Sequence, residues 1–265
     1  VSLKSVPLTL IYTQLAENGT NEKAGNDTDS YLIGAQFDIE PLGGSVFASN
    51  LNVGAFSSAN LGVFGVNFSQ DLGALKLKGE LDQFFGDNGL SGVLSVDYVG
   101  TQLYLDLSSK VSDQLTLGGI LLYAMGTDEA DEVQLTRLSK FAAWEPQTYG
   151  PFSTEFDAFK GLPGTDIQDY TGFSAGCIAA EVYGTFNATS DVDVLFSLAY
   201  LTPEEDAILD AFGVDADVMM ENISVMYGGF APNTKVGVQL NMAQVDDTIA
   251  SEDPMGIMAG LWTKF

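Results

Sequence analysis

Glu80 and Asp82 stand two residues apart in Leu75-Lys76-Leu77-Lys78-Gly79-Glu80-Leu81-Asp82. In an extended strand that spacing puts both carboxylates on one face. Such a couple could serve as the acid and base at a glycosidic bond. It is also what any solvated strand face carries, and Lys76 and Lys78 continue the same face, so the solvated reading is preferred. Acidic clusters at Asp128, Glu129, Asp131 and Glu132, and at Asp246, Asp247, Glu252 and Asp253, raise divalent-cation binding. Neither has the spacing and central glycine of a calcium loop, and a self-repelling solvated surface accounts for both. The chain has no histidine, which excludes a Ser-His-Asp hydrolase in its usual form. Haem-attachment motifs, zinc ligand sets and phosphate-cradling glycine loops are absent from the sequence. The single cysteine, Cys177, has no intramolecular disulfide partner and reads as a small buried residue near a strand start. The expectation is a non-enzymatic protein with no catalytic residues, metal site or cofactor.

The balance of 36 acids against 10 bases gives a formal net charge of -26, which repels nucleic acid phosphates and removes that class of partner. Mean hydropathy is only +0.13. No run approaches the roughly 20 consecutive apolar residues of a membrane helix, so any crossing of a bilayer must be made by strands. Val1-Ser2-Leu3-Lys4 lacks the basic and apolar regions of a signal peptide and reads as the start of a mature protein or of a fragment.

Strand patterning fills the chain. Leu115, Leu117, Gly119, Leu121 and Tyr123 share one face of an alternating segment, as do Val192, Val194, Phe196, Leu198 and Tyr200. Tyr31 to Glu40, Ile178 to Asn187 and Val236 to Ala243 alternate in the same way. A soluble β-sandwich also alternates, but here the punctuation is sorted. Tight turns rich in Gly, Pro, Asn and Asp occur at Glu40 to Gly44, Gln70 to Gly73, Val111 to Asp113 and Ala231 to Thr234. Between them lie long acidic segments at Glu17 to Asp29, Gly126 to Tyr170, Thr202 to Asp217 and Asp246 to Asp253. Short turns on one rim and long loops on the other suit a transmembrane antiparallel up-and-down β-barrel of about twelve strands, or part of a larger one of about 16–18. Tracing strand directions makes Leu90 to Val111 one long descending strand, with a register change expected near Val99 to Gln102. The chain is read as one barrel domain, 1–265, with residues 126–170 as a long external loop. Within that loop Val133, Leu138, Phe141 and Ala142 have helical spacing, and Trp144, Tyr149, Phe152, Phe156 and Phe159 follow. A short helix is expected, with the loop folding inward or over the mouth to narrow a pore and Arg137, Lys140 and Trp144 at the constriction; the alternative is a packed lid that makes the barrel structural or a docking surface.

The final residues alternate Ile257, Ala259, Leu261, Thr263, Phe265 against Met258, Gly260, Trp262, Lys264. This ending, with terminal Phe265 and outward Leu261, resembles the C-terminal assembly-signal strand of bacterial outer-membrane β-barrels. With apolar residues outward, the pore lining comprises Lys76, Lys78, Glu80, Asp82, Asp106, Lys110, Glu181, Tyr183, Gln239, Asn241 and Lys264, with Trp262 and Lys235 on the same face. The lysines fall near the short-turn ends of their strands and the acids above them. Leu75 to Leu81, Tyr104 to Gly119 and the large loop beyond resemble the alginate-export-like porins. Those relatives have an arginine-rich conduit, whereas Arg137 is the only arginine here. The resemblance implies a bacterial outer-membrane location and contact with membrane lipid and lipopolysaccharide. It also implies insertion by the barrel assembly machinery and assembly as a homo-oligomer. Two functions remain open at this level: a porin for passive diffusion of small hydrophilic solutes or ions, and a barrel that sheathes or anchors a partner protein.

Overall fold

A computed structural model describes residues 8–16, 30–39, 43–53, 59–90, 95–127, 129, 131–134, 176–205, 217–231, 233–245, 253 and 255–263. The strands are β1 (Leu8–Ala16), β2 (Ser30–Ile39), β3 (Gly44–Val53), β4 (Ala59–Asp71), β5 (Leu75–Asp87), β6 (Asp97–Lys110) and β7 (Leu115–Ala124). They continue with β8 (Glu132–Gln134), β9 (Cys177–Asn187), β10 (Val192–Thr202), β11 (Val218–Ala231), β12 (Thr234–Val245) and β13 (Met255–Thr263). All belong to one sheet, and apart from β8 each strand pairs with its sequence neighbour in an antiparallel meander from β1 to β13. Twelve strands on this path match the number expected from the alternation. β8 lies off the path and pairs in parallel with the first residues of β6, Asp97 to Val99. Among the described residues there is no helix, and no ladder joins β1 to β13.

Turn chemistry sets the tight connections. Asp71 accepts the Gly73 amide at 3.0 Å, and Gly73 takes φ +86, a conformation that favours glycine. Ser112 Oγ accepts the amides of Gln114 and Leu115 and closes the β6–β7 turn. The β11–β12 turn places Asn233 at φ +57.

Two expectations are corrected. The β5–β6 ladder runs without a shift from Leu75↔Ser109 to Asp87↔Asp97, so there is no register change at Val99 to Gln102. The apparent switch of face arises because β6 extends beyond its apolar stretch: Asp97, Val99 and Thr101 continue the outward row that Leu103, Leu105 and Leu107 occupy lower down. Val133, placed by spacing in a helix, is extended in β8, where pairing to Tyr98 supplies its backbone partner. Leu138, Phe141, Ala142 and the aromatic residues after them lie outside the described residues.

Burial is inverted relative to a soluble sheet. Neighbouring residues on β9 show it: Val182 is 60% exposed while Glu181 is 2% exposed. Leu81, Leu121, Leu198, Ile223, Val225, Val238, Ile257 and Leu261 are all exposed on the same outer surface, while Asn67, Glu80, Asp82, Gln102, Asp106, Asn222, Gln239 and Asn241 are buried on the other. A sandwich buries its apolar face because water is outside. A wall with apolar residues outward and polar residues inward is built for hydrocarbon outside.

Candidate pore-lining wall

The inner faces of β5, β6 and β9 bring the predicted charges together. Lys78 lies opposite Asp106 in the β5–β6 register, and its Nζ donates to Asp106 Oδ2 at 2.9 Å. Tyr183 on β9 donates its hydroxyl to Asp106 Oδ1, reaching across the whole of β7. The strand between them permits this because Gly118, which pairs with Tyr183, has no side chain. A Cβ there would lie 2.6 Å from the ring's Cε2 and 2.7 Å from the hydroxyl, far inside ordinary contact. Glycine at 118 thus lets an aromatic ring lie flat on the neighbouring backbone, a pairing known to pin strand register. Asp106 accepts from an ammonium and a phenol at once, and is buried.

The remaining acids flank this group. Glu80 stands opposite Asn67 and Tyr104, and Asp82 opposite Gly65 and Gln102. The Asp82 carboxylate packs over the bare backbone of Gly65, in the space that a Cβ would fill. Glu181 lies between Ile120 and Ala199 in the ladder. All of these acids are 2% exposed or less. The pair Glu80 and Asp82 is on one face, as the spacing required, among hydrogen-bonding side chains of a wall.

A second polar group lies on β11 and β12. Asn222 and Gln239 both donate to Asn241 Oδ1, the latter at 2.9 Å, and Ser224 Oγ donates to Asn222 Oδ1 at 3.3 Å. Gln239 and Asn241 were expected from alternation. Asn222 and Ser224 were missed, although each alternates with an outward apolar residue, Ile223 and Val225, which is the signal that could have found them.

Among the described residues Lys76, Lys78, Lys110 and Lys235 lie toward the short-turn ends of their strands, and three of these four are held in ion pairs. Lys235 pairs with Asp193 at 2.9 Å and Lys110 with Asp113 at 2.8 Å. The Lys110 hydrogen bond and charge hold the Asp113 carboxyl below its usual value. Lys76 is exposed near the start of β5. With Lys78 on Asp106, each of these ion pairs sets a lysine against an aspartate, and Glu80, Asp82 and Glu181 are further acids buried on the same wall.

Sequence reading also missed an apolar inner stretch. Ile120, Leu122, Leu201, Val218 and Met220 face inward and are buried. In β7 both faces are apolar, Thr116-Leu117-Gly118-Gly119-Ile120-Leu121-Leu122, so alternation does not separate them. Leu261 is 64% exposed on the outer face of β13 and pairs with Val236. Arg137, Lys140, Trp144, Lys264 and Phe265 lie outside the described residues.

The sequence matches no protein-family model and no curated protein. Solved structures are similar. The outer membrane protein OprD from Pseudomonas aeruginosa shares 12% identity at a TM-score of 0.51, over 90% of this chain and 60% of that one. OccAB4 from Acinetobacter baumannii shares 11% at 0.51, over 92% and 56%. A BenF-like porin from Pseudomonas fluorescens shares 14% at 0.50, over 92% and 57%. The chain thus spans at most 60% of the length of these three structures. The likeness, together with the inverted wall, establishes the fold: all-β, antiparallel, up-and-down, the β-barrel architecture of outer-membrane porins.

Proposed function

We propose that this chain forms the wall of a bacterial outer-membrane porin for passive diffusion of small hydrophilic solutes and ions, with a preference for cations. The observation that carries the reading is the inverted wall, with apolar side chains exposed outward and the carboxylates of Glu80, Asp82, Asp106 and Glu181 buried inward, in a chain of 36 acids against 10 bases. Fixed carboxylates beside low-dielectric walls raise the local concentration of cations. The outer-membrane location is supported by the exposed apolar surface and by the shared fold. The segments that resemble alginate-export-like porins, Leu75 to Leu81 and Tyr104 to Gly119, form the adjoining strands β5, β6 and β7. Their inner faces set Glu80, Asp82 and Asp106 against Lys76, Lys78 and Lys110, so they lack the net positive charge that would draw an anionic polysaccharide.

Liposome swelling tests the reading. Proteoliposomes holding the purified chain should swell in isosmotic neutral pentose, and more slowly as the solute grows. Protein that inserts but gives no swelling with any solute would contradict it.

A further inference from the structure

The outward row of the β1–β13 path carries charge at three described positions. Asp87 and Asp97 pair with each other at the upper ends of β5 and β6. Glu221 is different: it is the fourth residue of β11, roughly 10 Å of strand below the long-loop rim, within the apolar surface. Leu198 and Met242 stand directly opposite it on β10 and β12. Its side chain is exposed, and among the described residues it makes no hydrogen bond or ion pair. An ionisable side chain on a lipid-facing wall is costly unless something neutralises it, and so marks a site.

A cavity of about 350 Å³ opens on the same surface. Phe196, Leu198, Ile223, Leu240 and Met242 line it together with Ser197 and Asn222, and Glu221 is its sole charged group. We infer that this dimple seats a membrane lipid bearing a primary ammonium group, with hydrocarbon against the apolar walls and N–H donors on the Glu221 carboxylate. The chemistry is complementary on both counts: an ammonium offers three donors and a full positive charge, and charge-assisted bonds gain strength where water is scarce. A second copy of the chain is the weaker occupant. Described lysines lie on the inward face, Lys76, Lys78 and Lys235, or at the rim turn, Lys110, so the described residues of a second wall present no cation to Glu221.

The inference rests on the wall's spanning a membrane, which protection of the strands from protease in proteoliposomes tests separately. The lipid itself is tested by native mass spectrometry of the detergent-solubilised protein with equal amounts of phosphatidylethanolamine, phosphatidylcholine and phosphatidylglycerol. Phosphatidylethanolamine should be retained about tenfold more than the other two, because the choline nitrogen has no N–H. Glu221→Gln should remove that selectivity, and Leu240→Trp, which fills the dimple but keeps the carboxylate, should weaken retention. Equal retention of the ethanolamine and choline lipids by the native chain would overturn the inference. So would selectivity that survives Glu221→Gln, or a dimer that Glu221→Gln dissociates. Strands digested in proteoliposomes would instead refute the membrane reading beneath it.

Discussion

Substituting Gly118 by alanine puts a methyl group where the Tyr183 ring lies, 2.6 Å from Cε2 and 2.7 Å from the hydroxyl. The ring must move, and its bond to Asp106, two strands from β9, is lost with it. A hydrogen bond to a charged group contributes about 1.5–3 kcal/mol, and crowding a packed site costs about 1–3 kcal/mol more. Gly118→Ala should therefore destabilise by about 2.5–6 kcal/mol, and Tyr183→Phe, which removes only the bond, by about 1.5–3 kcal/mol. Both variants break the same bond, so the double variant should fall short of additivity by about the value of that bond. Equilibrium unfolding in urea from lipid vesicles, followed by the fluorescence of the 2 tryptophans, measures all three. A neutral Gly118→Ala, or strictly additive single and double variants, would refute the idea that the glycine exists to let Tyr183 reach Asp106.

Three further expectations follow from the same wall. Leu117→Arg and Val238→Arg, both on the outer surface, should each cost about 2–4 kcal/mol if near the bilayer midplane, whereas Lys76→Gln on the exposed inner rim should be neutral in the same unfolding assay. Lys235→Met leaves Asp193 without its lysine, but the pair is partly exposed, at 41% and 29%, so stability should fall by no more than about 1 kcal/mol. Protease added to intact cells should cut within 126–170 or 202–217 and spare the Ala231–Thr234 turn, and cleavage at that turn would invert the topology.

The strand path was legible because lipid and lumen impose opposite demands on successive residues. Wherever outward residues are apolar and inward ones polar, as along Val236 to Ala243, alternation gave the face of each side chain. It failed where both faces are apolar: Ile120 and Leu122 differ from Leu121 in burial but not in type. The site was legible as a set of inward residues but not as a network. Lys78, Asp106 and Tyr183 come from three strands, and their contact depends on register and on a glycine that composition does not distinguish from the other 28. The low-lying lysines were legible as a group near the short turns but their partners were not, and in three dimensions Asp106, Asp113 and Asp193 hold three of the four described. Glu221 was overlooked because a lone acid within an alternating strand reads as an inward residue until register places it outside.

The reversal potential of the purified chain in a planar bilayer, under a potassium chloride gradient, tests the central claim most directly. The inward carboxylates of Glu80, Asp82 and Glu181, in a chain of net charge -26, predict cation preference at low ionic strength, fading as the Debye length falls from about 30 Å at 0.01 M to about 3 Å at 1 M. Replacing Glu80 and Glu181 by glutamine should move the potential toward zero while conductance persists. Anion preference at low salt, or a bilayer with inserted protein and no conductance, would contradict the account.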